Sequence, residues 1–498
     1  MALINHIIEG AATAGSSGQT APVYNPATGE QIADVAMGGA TEVNAAVAAA
    51  KKAFETWSAT PPAKRARVMF RLRDILDARR DEVARTISVE HGKTHDDALG
   101  EVTRALEVVE YACGIPEKLK GDFSRDVGPG IDSCAERQAL GVVAGITPFN
   151  FPAMVPLWMI PMAVACGNTF VLKPSERGPS SANLVYDLFR EAGLPEGVLK
   201  CVHGGKDAVD AILDHKDVQA VSFVGSTPVA EYIYSRGCTA GKRVQALGGA
   251  KNHMIILPDA DIDQAADALM GAGFGSAGER CMAVSVAVPV GEETADRLVA
   301  KLAPQVQALR IGPSTDPDAE MGPVITKQAQ DRIVGLIDKG ESEGADVVVD
   351  GRDFRLQGYE GGFWVGGTLL DRVTPEMTVY REEIFGPVLS VLRAGSYDEA
   401  VNLINAHEYG NGTAIFTRDG DAARDFANRI QVGMVGVNVP IPVPVAYHSF
   451  GGWKRSIFGA HGIYGPEAVH FYTRLKTVTS RWPTGIRAGA EFNFPSMG

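Results

Sequence analysis

A cysteine acts as a nucleophile through its thiolate, and an adjacent cation favours that form. In the string GSAGERCMAVS, Cys281 directly follows Arg280. Six cysteines occur, at positions 113, 134, 166, 201, 238 and 281. Free cysteines are among the most buried residue types, so structural roles are the ordinary expectation for them. Cys281 stands apart because it follows a turn rich in glycine (Gly271, Gly273, Gly275, Gly278) that lets backbone approach a ligand. The same run contains GFGSAG, a match to the G-x-G-x-x-G fingerprint of dinucleotide sites. It follows the helical stretch DADIDQAADALMGA rather than a strand, so the context that gives the fingerprint its meaning is missing. Better cofactor candidates leave strands. ITPFN (146–150) and VLKPSE (171–176) each run from a strand into a turn, with Lys173 and Glu176 bracketing the second. SFVGST (222–227) ends a strand and opens a helix whose N-terminus suits a phosphate.

Such turns converge only if their strands end at one sheet edge. The sequence predicts strands at GVVAGIT (141–147), NTFVLKP (168–174), VLKCVHG (198–204), AVSFVGS (220–226) and KRVQAL (242–247). Helices fall after Phe151, from Ser180 to Ala192, over 207–214 and from near Pro228. Strand–helix alternation with short connections points to a parallel sheet covered on both faces, with ligands beyond the strands' carboxyl ends. Residues 41–57, 63–80 and 97–118 show helical spacing, so the first third reads as largely helical. A second α/β series runs from His253 to about Gly436 through SVAVPVG, DVVVDG, GPVLSVLRA, TAIFT and MVGVNV. Segments 131–140 and 471–483 look extended and stand outside both series. An exposed edge strand seeks a partner, so these two predict an arm that pairs with another subunit.

The length of 498 residues suggests two or three domains. A formal charge of -13 makes nucleic acid and anionic membrane surfaces poor partners. No CxxC or metal-type cysteine spacing occurs, which fits a reducing compartment, and the expected location is cytoplasmic. The start, MALINHIIEGAATAG, lacks the basic and apolar regions of a secretory signal. The uncharged stretch between Arg137 and Lys173 is long enough to span a bilayer. Pro148, Pro152, Pro156 and Pro161 break it, and it reads as strand, turn, helix and strand. The ten histidines show no HExxH and no clustered Cys/His spacing, so no metal is expected, and His253 has no evident role.

Together the motifs resemble the aldehyde dehydrogenase superfamily. The matching strings are TPFNFP (147–152), FVLKPSE (170–176), VSFVGST (221–227), GERC (278–281), EEIFGPV (382–388) and FGGWKRS (450–456). QALGGAKNH (245–253), SAGERCMA (276–283) and TRALEVVEYACG (103–114) resemble, more narrowly, the CoA-acylating methylmalonate (malonate) semialdehyde dehydrogenases. The resemblance implies an α/β fold with a Rossmann-type NAD domain (1–118 and 141–249), a catalytic domain (250–450) and a β oligomerisation arm (119–140 and 470–498). It also implies a homotetramer built as a dimer of dimers. It makes Cys281 the nucleophile, and Asn150 with the Cys281 backbone N–H the oxyanion donors. It sets Lys173 and Glu176 on the adenosine ribose with Arg177 nearby, Thr147 and Phe149 along the cofactor cleft, and Ser226 at the pyrophosphate. Glu383 and Phe385 fall on the nicotinamide ribose. A carboxylate at Glu176 favours NAD over NADP.

One departure is informative. Acid-forming members carry a glutamate base in a Glu-Leu-Gly-Gly-Lys string, and this chain reads Ala246, Leu247, Gly248, Gly249, Ala250, Lys251. Either Leu247 or Ala246 occupies the glutamate position, and neither takes a proton. Water is then poorly activated, and CoA, a thiol with some thiolate at neutral pH, serves as acyl acceptor. Arg104 and Arg280 match the arginines this subfamily uses on a substrate carboxylate, a role a guanidinium fork suits. A β-carboxy thioacyl intermediate loses CO2 readily, so the implied products are propionyl-CoA or acetyl-CoA. The alternatives are an acid-forming, hydrolytic aldehyde dehydrogenase and a non-catalytic protein that kept the fold.

Overall fold

The computed structural model describes residues 1–8 and 10–482. Its first large sheet has eight strands in the spatial order Ile457–Phe458, Arg243–Leu247, Val218–Val224, Val142–Ile146, Thr169–Lys173, Leu199–Cys201, His6–Ile8 and Ala11–Thr13. The five central strands are parallel, and antiparallel pairing begins only at the two flanks. Val142–Ile146 and Thr169–Lys173 are buried at every position, as strands covered on both faces must be. The charge-free stretch becomes the strand Val142–Ile146, the buried helix Met154–Ala165 and the strand Thr169–Lys173. Among the described residues no helix is long and apolar enough to cross a membrane.

Alternate residues of the sheet feed two apolar layers. One joins it to the helices Pro62–Ala78, His95–Cys113, Met154–Ala165 and Pro179–Glu191, and the other to Ala40–Trp57, Lys206–Asp214 and Thr227–Thr239. The second large sheet has seven strands in the order Asp346–Val349, Thr368–Asp371, Val388–Val391, Val284–Pro289, Asn252–Ile256, Gly412–Phe416 and Met434–Val437. Only its Asp346–Val349 edge is antiparallel, and it has an apolar core of its own.

Thr473–Arg481, Ile131–Ala139 and Asp122–Gly128 form a separate antiparallel sheet, registered from Thr473↔Ala139 to Arg481↔Ile131. It exposes Phe123, Leu475, Val478 and Trp482. Residues 470–472 close the helix Pro466–Tyr472 rather than the strand, and 483–498 of the expected arm lie outside the described residues. The expectation of a largely helical first third needs correction. Ala2–Ile4, His6–Ile8, Ala11–Thr13, Thr20–Asn25 and Glu30–Ala36 are strands, and helices begin only at Ala40. Three of these strands have just three residues, too few for alternation to register.

Candidate active site

Chain order in the eight-stranded sheet changes direction between Val142–Ile146 and Val218–Val224, which are neighbours. A crevice opens beyond the carboxyl ends of strands at such a switch point. A cleft of about 380 Å³ lies there, lined by Phe149, Asn150, Ser226, Cys281, Glu383 and Phe385 among others. Six of the residues singled out in the sequence therefore meet in one cavity.

Its cofactor-side wall is built from strand ends. Ser226 directly precedes the helix Thr227–Thr239, and Thr227 Oγ1 accepts the Gly249 N–H at 2.8 Å. A Cβ on Gly249 would lie 2.5 Å from Glu383 Oε2 and 2.9 Å from Thr227 Oγ1, so a side chain there would displace the Glu383 carboxylate. Glu383 Oε1 accepts the Ala250 N–H at 2.9 Å. Burial raises the Glu383 carboxyl above its ordinary range, against that hydrogen bond and Lys251. Lys251 donates to the Val379 and Glu382 carbonyls at 2.7 and 2.8 Å and so fixes the turn that carries Glu383. Phe385 holds φ at +51° and meets Phe149 edge-on at 6.0 Å. Phe149 also stacks on His91, and Arg177 lies 5.3 Å from its ring centroid. One strand over, Lys173 is buried with Nζ 3.5 Å from Glu176 Oε2. Burial lowers its ammonium from the usual value, and Glu176 opposes that. Thr147 donates its N–H to the Lys173 carbonyl at 3.1 Å, while its buried hydroxyl meets no partner among the described residues.

The nucleophile's wall is assembled from distant segments. Gly271 and Gly273 lie inside the helix Ile262–Phe274, not in the turn where the sequence put them. The turn is Gly275–Gly278, with Ser276, Ala277 and Gly278 all at positive φ. A Cβ on Gly278 would fall 2.1 Å from the Gly386 carbonyl oxygen. The Cys281 carbonyl accepts from Asn252 Nδ2 at 2.9 Å and Asn411 Nδ2 at 3.0 Å. Asn252 also donates to Ala283 O and accepts the Gly412 N–H. Asn150 donates to the Glu279 carbonyl at 3.0 Å, leaving its second amide N–H for another acceptor. Asn411 carried no motif-level signal, and Asn252 stood within QALGGAKNH without a role of its own; each borders a strand of the second sheet, Asn252–Ile256 and Gly412–Phe416.

Beneath this loop lies a buried ion pair. Lys93 Nζ is 3.0 Å from Glu101 Oε2 and donates to the Asn150 carbonyl at 2.6 Å. Glu101 Oε1 accepts the Ala153 and Met154 N–H groups, capping the helix Met154–Ala165. Glu279 is buried 3.9 Å from His91, with Oε2 lacking a hydrogen-bond partner among the described residues. Burial pushes its carboxyl up to about 8. Neither residue pair stood out in the sequence, because each joins positions without a shared motif.

Arg280 acts on the thiol in the direction the sequence predicts, but it does not dominate. Arg280 pairs with Asp97, while burial first and the Glu383 charge second push the Cys281 thiol up to about 12. Nearby backbone N–H groups and Arg280 only partly offset this. Arg104 is half-buried, bound to Glu107 at 2.8 Å and to the Val443 and Pro444 carbonyls. Neither arginine is among the residues lining the cleft. Alternation along the strand Arg243–Leu247 separates the two positions left open above. Leu247 joins the apolar layer that contacts Cys281 and contains Met282, whereas Ala246 faces the opposite layer. His253 is a buried core residue, its Nε2 3.1 Å from the Tyr380 hydroxyl and its ring against His407.

The profile of the aldehyde dehydrogenase family matches residues 13–478. Malonate-semialdehyde dehydrogenase of Pseudomonas aeruginosa is 59% identical over 498 residues, covering 100% of both chains. The mitochondrial, acylating methylmalonate-semialdehyde dehydrogenase of Arabidopsis thaliana is 48% identical, over 97% of this chain and 80% of that one. A crystal structure of a Sinorhizobium meliloti protein, provisionally named methylmalonate-semialdehyde dehydrogenase and complexed with NAD, superposes with a TM-score of 0.97. It is 59% identical and covers 98% of this chain and 99% of that one.

Proposed function

The chain belongs to the aldehyde dehydrogenase family, and on that premise we propose that it oxidises methylmalonate and malonate semialdehydes with NAD and transfers the acyl group to CoA. Cys281 Sγ gives up its proton to water in the cleft, and the thiolate adds to the aldehyde carbon as the carbonyl electron pair moves onto oxygen. The second N–H of Asn150 and the Cys281 backbone N–H receive the oxyanion of the thiohemiacetal. NAD, when bound, takes up the hydride that leaves this carbon. Glu176 accepts from the adenosine ribose and disfavours a 2′-phosphate, with Lys173 and Arg177 beside it. Ser226 and the helix start at Thr227 would hold the pyrophosphate, Glu383 with Phe385 would hold the nicotinamide ribose, and Phe149 and Thr147 would line the cofactor cleft.

The thioester on Cys281 then loses CO2: the bond to the β-carboxylate breaks, its electron pair enters the thioester carbonyl, and a proton from solvent replaces the carboxylate. The CoA thiolate attacks the acyl carbon and Cys281 thiolate departs, giving propionyl-CoA or acetyl-CoA. Arg104 and Arg280 would bind the substrate carboxylate by exchanging Glu107 and Asp97 for it.

The observation that carries the acylating reading is Leu247. It belongs to the apolar layer against which Cys281 packs, and neither it nor Ala246 in the opposite layer takes a proton from water. Glu279, next but one to the nucleophile, does not line the cleft, its carboxyl being buried toward His91 and the Ile325 N–H. Glu383 gives one oxygen to the Ala250 N–H and is assigned the other for the nicotinamide ribose. The name of the Arabidopsis relative supports the same transfer. The exposed apolar residues of the three-stranded sheet support pairing of subunits through the arm (119–140 and 470–498) as a dimer of dimers. We assign the NAD-domain and catalytic-domain limits (1–118 with 141–249, and 250–450) to the two large sheets, the strand Ile457–Phe458 joining the first sheet from beyond them. All six cysteines are free, which suits a cytoplasmic, reducing setting.

The decisive experiment is NADH formation from both semialdehydes with and without CoA, with products identified by mass. Sustained turnover only with CoA, yielding acetyl-CoA or propionyl-CoA, is expected. Equal turnover without CoA, yielding a free acid, would show that water is activated by another group and make the enzyme hydrolytic.

A further inference from the structure

The sequence spacing of the histidines gave no sign of a metal site, yet the fold gathers three donors outside the cleft. His461 Nδ1 lies 2.7 Å from Glu467 Oε2, and His470 Nδ1 lies 3.4 Å from Glu467 Oε1. Each carboxylate oxygen thus faces one imidazole, and one donor atom from each of the three residues lies within 4.8 Å of the others. The donors of a tetrahedral zinc centre stand about 3.3 Å apart, so small side-chain rotations close this set around an ion. Glu467 and His470 are three apart on the helix Pro466–Tyr472, the spacing that places two side chains on one face.

The backbones of all three residues are anchored independently of any ion. Gln245 Nε2 donates to the His461 and Gly462 carbonyls at 3.2 and 3.0 Å. Arg243 donates to the carbonyls of His470, Phe471 and Thr473 at 2.7–2.8 Å. The Glu467 N–H reaches Ser449 Oγ at 3.3 Å. The donor side chains themselves are 31–42% exposed, open enough for an ion to enter from solvent. A rigid frame with accessible donors, two imidazoles and one carboxylate, is what a three-ligand transition-metal site requires.

We propose that His461, Glu467 and His470 bind one divalent transition-metal ion per chain, with zinc the best match to the donor set and water completing the coordination. The ion would clip residues 459–465 to the helix Pro466–Tyr472. That segment carries Tyr464, which donates to the Pro444 carbonyl that also receives Arg104, and it leads into the arm strand Thr473–Arg481. The site is thus a brace between the arm and the wall near Arg104.

The test is calorimetric titration of chelator-treated full-length protein with zinc sulfate, beside His461→Gln, Glu467→Gln and His470→Gln. One zinc per chain is expected, with a Kd on the order of micromolar or tighter, weakened at least about tenfold in each variant. Zinc should raise the melting temperature of the parent protein and not of the variants, whose metal-free melting temperatures should match the parent. The free cysteines are the rival ligands, and cobalt(II) absorption separates them even where a variant fails to fold. Tetrahedral d–d bands without thiolate charge transfer support the site. Thiolate charge-transfer bands, zinc affinity equal in all three variants, or no binding up to millimolar zinc would each overturn it.

Discussion

The two walls of the cleft are built by different rules. On the cofactor side, Phe149, Lys173, Glu176 and Ser226 each stand within three residues of the carboxyl end of a strand, so local turn geometry places them. On the nucleophile side, Cys281 is held by Asn252, Asn411 and, through Glu279, Asn150, which come from distant points of the chain. These strand-end residues of the first wall are fixed once the parallel sheet forms, and Glu383 and Phe385 join them from the second sheet's part of the chain. The second wall exists only when both sheets have docked, and it depends on buried polar groups whose partners are far away in sequence. Function is correspondingly more vulnerable there.

The largest effect is expected at the ion pair under the nucleophile loop. Glu101→Ala leaves Lys93 buried without its carboxylate and strips the cap from Met154–Ala165, at a cost of about 3–5 kcal/mol in stability. Urea unfolding measures this, and a loss below about 1 kcal/mol would make the two walls equally robust. Next comes a pH effect at Glu279. Its carboxyl sits near 8 in the fold against an ordinary value of 4.5, so the folded state keeps a proton that the unfolded chain releases. Stability should therefore fall as pH rises from about 4.5 to about 8 and level off above, by at most a few kcal/mol. Glu279→Gln removes that slope, and unfolding midpoints at pH 5.5 and 8.5 reveal it. Parallel profiles for the two proteins would show that Glu279 ionises freely.

A smaller change is expected for Asn252→Ala, which removes one of two donors to the Cys281 carbonyl and orphans the Gly412 N–H. About 1–3 kcal/mol of stability should be lost. A shifted thiol should also lower kcat by roughly 10- to 100-fold with KM for NAD little changed. A change confined to KM for NAD would move Asn252 to the other wall. Smallest is Glu176→Ala, expected to raise KM for NAD about tenfold, near 1.4 kcal/mol, and to narrow the preference over NADP. Steady-state kinetics with both cofactors decides it, and an unaltered preference would detach Glu176 from the ribose.

Much of this was legible in the sequence for a physical reason. Strands buried on both faces are continuous apolar runs, and the turns after them carry the polar residues, so GVVAGITPFN and SFVGST announce both element and site. The short strands before Ala40 lacked enough residues for alternation. The Gly271–Gly278 run misled, because glycine marks close approach without saying whether the backbone there is helix or turn. The Lys93–Glu101 pair and the anchoring asparagines carried no local pattern, since their partners are brought by packing.

What the sequence by itself determined is the chemistry on offer: a cysteine nucleophile, strand-end turns suited to a dinucleotide, and the loss of a glutamate between residues 232 and 278. Only the tertiary structure decided that Leu247 and Ala246 fall in opposite apolar layers, with Cys281 packed against that of Leu247, because strand alternation has a phase that packing alone sets. It also decided that Arg280 turns to Asp97 and that burial raises the Cys281 thiol. Proton affinity depends on desolvation and on charges close in space, and neither is a property of neighbours in the chain.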